Sequence, residues 1–400
     1  MSPRYQNSVV LDSVFPRRKR LKSILLQVFT LESAGFSPLN PTWIFSLRPS
    51  QIAASLEREF NSTRTGQHTP VMLWGPPGVG KSQFIAQVAS KHQVPLIDIR
   101  LSQMEPTDLR GIPFRINDTV EWAIPAMLPD AQRHGPTGIL FLDEITSAAP
   151  TVSTAAYQLI LDRRLGDYFL PDGWAVFAAG NRQGDRGVTY SMPAPLANRF
   201  THYEVEANLD DWVMWAHTFG IDERVIGFLR FRPDLLFNFD PAHNPIAFPS
   251  PRSWEFAHRA LKKFSNMPTL LGDGLQACVG PAAGIELKAF IDSMDQLPDI
   301  DGIVQGHESQ VPKGIDLQYG VAAALVRRAL MAKDGADTNR ILGNILRYAR
   351  RFPQREMGVM LVTDLHRAIG KPLFTVPEFS DWANSISDLM LYDMQWSGSK

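Results

Sequence analysis

An α/β fold is what this sequence predicts: a parallel five-stranded sheet between helices, followed by an almost wholly helical remainder. Three observations point to it. Short apolar runs alternate with helix-like segments from Val71 to Glu206, a glycine-rich loop joins the first run to the first such segment, and strand-like runs cease beyond Glu206. Strands buried on both faces read as continuous apolar runs, and parallel neighbours need a crossover between them, usually a helix. A chain of 400 residues has room for two or three such units.

Taken in order, the first forty residues carry Arg17-Arg18-Lys19-Arg20 before a short apolar stretch, Ile24 to Phe29. That stretch is too short and interrupted for a secretory signal and no small-residue cleavage site follows, so it reads as a solvated basic tail, an N-terminal extension over 1–40. The strand candidates are Val71–Trp74, Pro95–Leu101, Gly138–Leu142, Trp174–Ala179 and Thr201–Glu206. Ser82–Ala89 and Val152–Arg163 show apolar residues at helical spacing. Phe114–Trp122, centred on Asn117-Asp118, reads as a hairpin. Leu209–Phe219 sets Trp212 and Trp215 on one helix face, which reads as packing. Helix-like segments follow at Ile221–Phe231, Ser253–Phe264, Leu317–Met331 and Asn339–Phe352, with a Pro-rich link from Pro241 to Pro251.

The glycine-rich loop is Gly75-Pro76-Pro77-Gly78-Val79-Gly80-Lys81-Ser82, followed by Gln83. Between a strand and a helix, this spacing lets successive backbone N–H groups face inward and cradle phosphates at the positive end of the helix. Lys81 reaches the β- and γ-phosphates and the Ser82 hydroxyl ligates Mg²⁺. The third strand candidate ends in Asp143-Glu144. Asp143 is placed to hold Mg²⁺ and Glu144 to polarise an attacking water, a pairing that favours hydrolysis over transfer to a small acceptor. The fourth ends in Asn181, which emerges between the loop and Glu144 if those strands are neighbours; its amide then holds the water or the γ-phosphate, the alternative being a simple Asx turn.

Taken together, these motifs and two later ones resemble the AAA+ ATPases, and within them the MoxR-like group. The ordered set is GPPGVGKS, FLDEIT, the strand ending AAGN, Pro195-Leu196-Ala197-Asn198-Arg199-Phe200, and Ser250-Pro251-Arg252. The resemblance runs from about Ile52 to Phe264. It implies a P-loop AAA+ core over 41–206, an α-helical lid over 207–264 and a mostly helical C-terminal extension over 265–400. Under it, Asn181 corresponds to the first sensor, Arg199 to an arginine that a neighbouring subunit points at the γ-phosphate, and Arg252 to the second sensor. Arg182 and Arg186 stand as alternatives to Arg199. Its further implications are ATP and Mg²⁺ as cofactors, a ring-forming homo-oligomer, usually hexameric, a chaperone-like action on a protein client, and a separate von Willebrand factor A-type partner. The Phe114–Trp122 hairpin lies where that group carries an insertion, and either a pore-facing element or an ordinary surface hairpin fits it.

Composition narrows the classes. Forty basic against 41 acidic residues leave a net charge of −1, so no global field draws the chain to nucleic acid or a membrane. No apolar stretch approaches the ~18 residues of a transmembrane span. The single cysteine, Cys278, fits a reducing, cytoplasmic setting. Two other readings stand beside the remodelling ATPase: a motor acting on nucleic acid, and a non-catalytic nucleotide-dependent scaffold.

Overall fold

The computed structural model describes residues 45–386, apart from 183, 186–188, 241–245, 308 and 334. The expected N-terminal extension, 1–40, and the candidate Arg186 lie outside the described residues. The sheet has six strands rather than five, all parallel. In chain order they are β1 (Phe45–Leu47), β2 (Val71–Trp74), β3 (Leu96–Arg100), β6 (Thr137–Asp143), β9 (Gly173–Gly180) and β10 (Thr201–Val205); across the sheet the order is β1-β10-β2-β9-β6-β3. The extra strand is a three-residue edge pairing with β10. It is too short for a period-two pattern to reveal it.

The central strands β2, β6 and β9 are covered on both faces, which is why they are apolar almost throughout, whereas the outer β3 and β10 also carry polar residues. Val71, Leu73, Ile139, Phe141, Ala175 and Phe177 pack beneath α1 (Pro49–Ser62) and α2 (Lys81–His92). The alternating residues Met72, Leu140, Leu142, Val176 and Ala178 pack beneath α5 (Pro150–Asp162). Two short helices, α3 (Pro106–Arg110) and α4 (Ala131–His134), flank the hairpin β4 (Ile112–Ile116) and β5 (Thr119–Ala123), which forms where expected and turns at Asn117, φ 53°. A second, minimal hairpin joins β7 (Arg164–Leu165) to β8 (Tyr168–Phe169). Helix α6 (Ala194–Ala197) precedes β10.

Beyond β10 the described chain is helical: α7 (Leu209–Phe219), α8 (Glu223–Phe231), α9 (Pro251–Lys263), α10 (Pro268–Val279), α11 (Pro281–Ser293), α12 (Ile300–Gln305), α13 (Ile315–Met331), α14 (Thr338–Ala349), α15 (Arg355–Ile369) and α16 (Pro377–Ser385). One apolar core joins Trp212 through Ile291 and takes in Ala323; a second runs from Ile303 to Ile386. Helices α8 and α13 cross closely at Gly227, where a Cβ would stand 3.3 Å from the Gly320 Cα. The first lid helix ties together three parts of the chain. At its N-terminal turn, Asp211 accepts from Arg48 (2.8 Å) and from the Ser50 amide (2.9 Å), while Asp210 meets Arg230 (2.7 Å) and Arg367 (2.9 Å). Arg230 also donates to the buried carboxylate of Asp364 on α15. No described helix is long and apolar enough to cross a membrane.

Candidate nucleotide-binding site

The strand order puts β9 between β2 and β6, so Asn181, the phosphate loop and Asp143-Glu144 leave the sheet side by side at its carboxyl edge, where ligands of open α/β sheets bind. The side chains meet there. Lys81 Nζ donates to the Gly75 carbonyl (2.5 Å), the Pro76 carbonyl (3.1 Å) and Asn181 Oδ1 (3.0 Å). Three oxygens thus occupy the three donors of the ammonium group. Burial draws Lys81 down to about 8, outweighing the opposing pull of Asp143 and Asp185.

Ser82 Oγ donates to Asp143 Oδ2 at 3.0 Å. A hydroxyl and a carboxylate that converge so closely are hard oxygen donors suited to Mg²⁺, which takes one or two protein ligands and completes its shell with phosphate and water. Among the described residues no group of three His, Cys, Asp or Glu side chains is placed to hold a metal by itself. Glu144 adopts a left-handed backbone, φ 56°, uncommon for a residue with a side chain. Its carboxylate accepts a hydrogen bond from Ser102.

Two functional neighbours escaped the sequence reading. Ser102 lies just beyond β3, in which Ile97 and Ile99 turn apolar side chains inward while Asp98 and Arg100 alternate with them. That alternation was the available signal. Asp98 sits near the same carboxylates, and its own carboxyl is raised by burial and by the charges of Asp143 and Glu144. The other neighbour is Thr146, buried, whose Oγ1 accepts from the Asn181 amide at 3.1 Å. Gly180 makes room for it: a Cβ there would lie 2.7 Å from Thr146 Oγ1.

The lid closes the loop's other side. Helix α9 starts two residues before the expected Ser253, with Ser250 as cap, Pro251 in the first turn and Ser253 Oγ accepting from the Ser250 amide (2.8 Å). Its free first-turn amide at Arg252 donates to the Gly78 carbonyl (3.2 Å). Gly78 itself has φ +84°, and a Cβ on it would come within 2.8 Å of Ser250 Oγ. Between loop, α1 and lid lies a cavity of about 570 Å³ bordered by Ser50, Gly78, Gln83, Trp212, Trp215 and Arg252. Trp212 is buried in the helical core as its spacing predicts, and Trp215 meets Phe219 at a tilt of 31° with ring centres 4.9 Å apart. Both also wall this cavity.

The arginines separate. Arg182 is held within the chain by Asp185 (2.8 Å) and by Glu204. Arg199 is exposed, and among the described residues its side chain makes no hydrogen bond or ion pair. Arg252 lines the cleft close enough for its charge to lower Lys81. The structure therefore brings Lys81, Ser82, Asp143, Glu144, Asn181 and Arg252 around one loop, and leaves Arg199 outside it.

Comparison with known proteins agrees with this geometry. The model for the ATPase family associated with various cellular activities, AAA, matches residues 71–202. Midasin of Giardia intestinalis is 28% identical over 156 residues, 36% of this chain but 3% of midasin. The denitrification regulatory protein NirQ of Pseudomonas aeruginosa is 33% identical over 96 residues, 24% of this chain and 36% of NirQ. The chain thus spans well under two thirds of either curated relative. The solved Holliday junction branch migration motor RuvB of Thermotoga maritima is 16% identical, with 82% of this chain and 86% of that one covered, at a TM-score of 0.31; at that score the likeness says nothing about function. Fold, loop and family match converge on one statement: residues 71–202 of this chain form an AAA ATPase domain.

Proposed function

We propose that this chain is a Mg²⁺-dependent ATPase of MoxR-like type that works as a ring, usually a hexamer in that group, and spends ATP hydrolysis on remodelling a protein client. The observation that carries the reading is the convergence of Lys81, the Ser82–Asp143 pair, Asn181 and Glu144 at the ends of three adjacent strands. Amides of Gly78 to Ser82 and the Lys81 ammonium bind the phosphates. Ser82 and Asp143 hold Mg²⁺, which when bound neutralises charge on the β- and γ-phosphates. Asn181, now bonded to Lys81, is placed to turn its amide to the γ-phosphate or the water. Glu144 accepts the proton of that water once it leaves Ser102. Arg252 reports on the nucleotide from the lid, and Arg199, unengaged in its own subunit, completes the site of a neighbour.

The hairpin β4–β5 supports a protein client over nucleic acid. Ile112 is 67% and Val120 64% exposed, with Phe114 and Trp122 also open to solvent. Its one arginine, Arg115, is engaged by the Asn117 carbonyl and Asp118. Phosphate backbones ask for free cations; this surface offers apolar area. A von Willebrand factor A-type protein as separate partner, and work in the cytoplasm, belong to the same reading.

The test is a Glu144→Gln variant assayed for ATP binding and turnover. It is expected to bind ATP as the parent does, to hydrolyse it at least a hundredfold more slowly, as for loss of a general base, and to retain a protein client on a pull-down in ATP. Turnover at the parental rate would remove Glu144 from its role and the hydrolytic mechanism with it.

A further inference from the structure

We infer that His202 is a positioning residue that couples the phosphate loop of one subunit to the arginine it presents to the next. The inference rests on the reading of Arg199 as an arginine acting across the subunit boundary. Its basis is a line of hydrogen bonds that no motif announces. Trp74 closes strand β2 and is followed directly by Gly75, whose carbonyl holds the Lys81 ammonium (2.5 Å). The Trp74 indole Nε1–H donates to His202 Nδ1 at 2.9 Å, and His202 Nε2 lies 2.7 Å from the Ala197 carbonyl. An indole N–H can only donate, so Nδ1 must accept and Nε2 must carry the proton that goes to Ala197. The tautomer is thereby set from both sides.

Ala197 ends helix α6, and its carbonyl also takes the Phe200 amide (3.2 Å), while the Arg199 amide donates to the Leu196 carbonyl (2.9 Å). The turn that displays Arg199 is therefore pinned on its carbonyl side by His202 and on its other side by buried Leu196 and Phe200. The imidazole is packed against the Trp74 indole with ring centres 5.9 Å apart and meets Phe200 edge-on at 6.1 Å. Trp74 and His202 are both half-buried, on neighbouring strands β2 and β10. A shift of Gly75 when Lys81 exchanges loop carbonyls for phosphate is passed through the indole and the imidazole to the turn bearing Arg199. Nucleotide in one site thus sets how firmly that subunit offers Arg199 to its neighbour.

The experiment mixes full-length subunits. Arg199→Ala subunits keep their own catalytic side chains but offer no arginine; Glu144→Gln subunits cannot activate water but still offer Arg199. Mixing the two is expected to restore ATPase activity at the Arg199→Ala sites. Adding His202→Leu to the Glu144→Gln subunits is expected to cut that restoration about tenfold, with ATP affinity of the His202→Leu single variant unchanged. Trp74→Phe, which keeps the ring contact and removes the donor, is expected to give the same loss, and the two changes together no more than either alone. A general weakening of the fold would lower ATP affinity as well and would add across the two variants. Undiminished restoration by either variant overturns the inference. No restoration even by Glu144→Gln alone overturns the trans reading of Arg199, and the inference with it.

Discussion

Lys81 carries the most consequential charge in the site because its environment works against that charge. With its pKa drawn down to about 8 by burial, the free protein releases the Lys81 proton more readily than a complex in which phosphates surround it. Below pH 8 both forms hold the proton and Lys81 adds no pH dependence. Above it, ATP binding must take up a proton, so affinity is expected to fall with rising pH, by at most tenfold per unit. Calorimetric titration at pH 8.5–9 in buffers of different ionisation enthalpy measures that uptake directly; identical heats across the buffers would refute it. Gly78 gives a second prediction. Gly78→Ala puts a methyl at 2.8 Å from Ser250 Oγ on a backbone at φ +84°, so the loop or the start of α9 must shift, and ATP affinity is expected to drop at least tenfold. The partners that set these properties differ in how visible they were. Lys81, Ser82, Asp143 and Glu144 declare themselves by spacing within one strand–loop–helix or strand–turn unit. Ser102 and Thr146 do not, because each acts on a residue of another strand, and only the sheet order brings them together.

At the scale of elements, the site is held by devices with local chemistry and by others without. The Ser250-Pro251 start of α9 fixes Arg252 in the first turn, two residues before the start expected at Ser253. The β4–β5 hairpin was legible from its turn residues. The edge strand Phe45–Leu47 was not, because three residues carry no period; nor was the reach of the lid's apolar core to Ile291 and Ala323, which depends on packing between distant helices. The ion network between α7, α8 and α15 was equally silent, since isolated Asp and Arg residues look like surface. Asp210, partly open to water, is held down to about 2, first by Arg367 and then by Arg230, whereas burial pushes Asp364 up despite Arg230 beside it. Removing the shared cation is therefore costly. Arg230→Met leaves Asp364 buried without its main partner and is expected to lower stability by about 3–5 kcal/mol, read from urea unfolding followed by tryptophan emission; an unchanged midpoint would count against the network.

At the scale of the molecule, the described arginines near the site divide by what holds them. Arg182 is tied to Asp185 and Glu204, and Arg252 belongs to the lid. If Arg199 of a neighbour reaches the γ-phosphate, turnover per subunit is expected to rise with protein concentration, and Arg199→Ala to lower it by about 10³–10⁵ at saturating protein; dilution to monomers without loss of specific activity would contradict this. Two adjacent carboxylates stand at the start of α7. Asp211 grips Arg48 and Ser50 beside the cleft; Asp210, one residue earlier, grips Arg230 and Arg367. A peptide unit cannot stretch between them. So long as both grips hold, the start of α7 is a rivet: the chain beside the cavity, α8 and α15 are fastened to one another through two neighbouring residues.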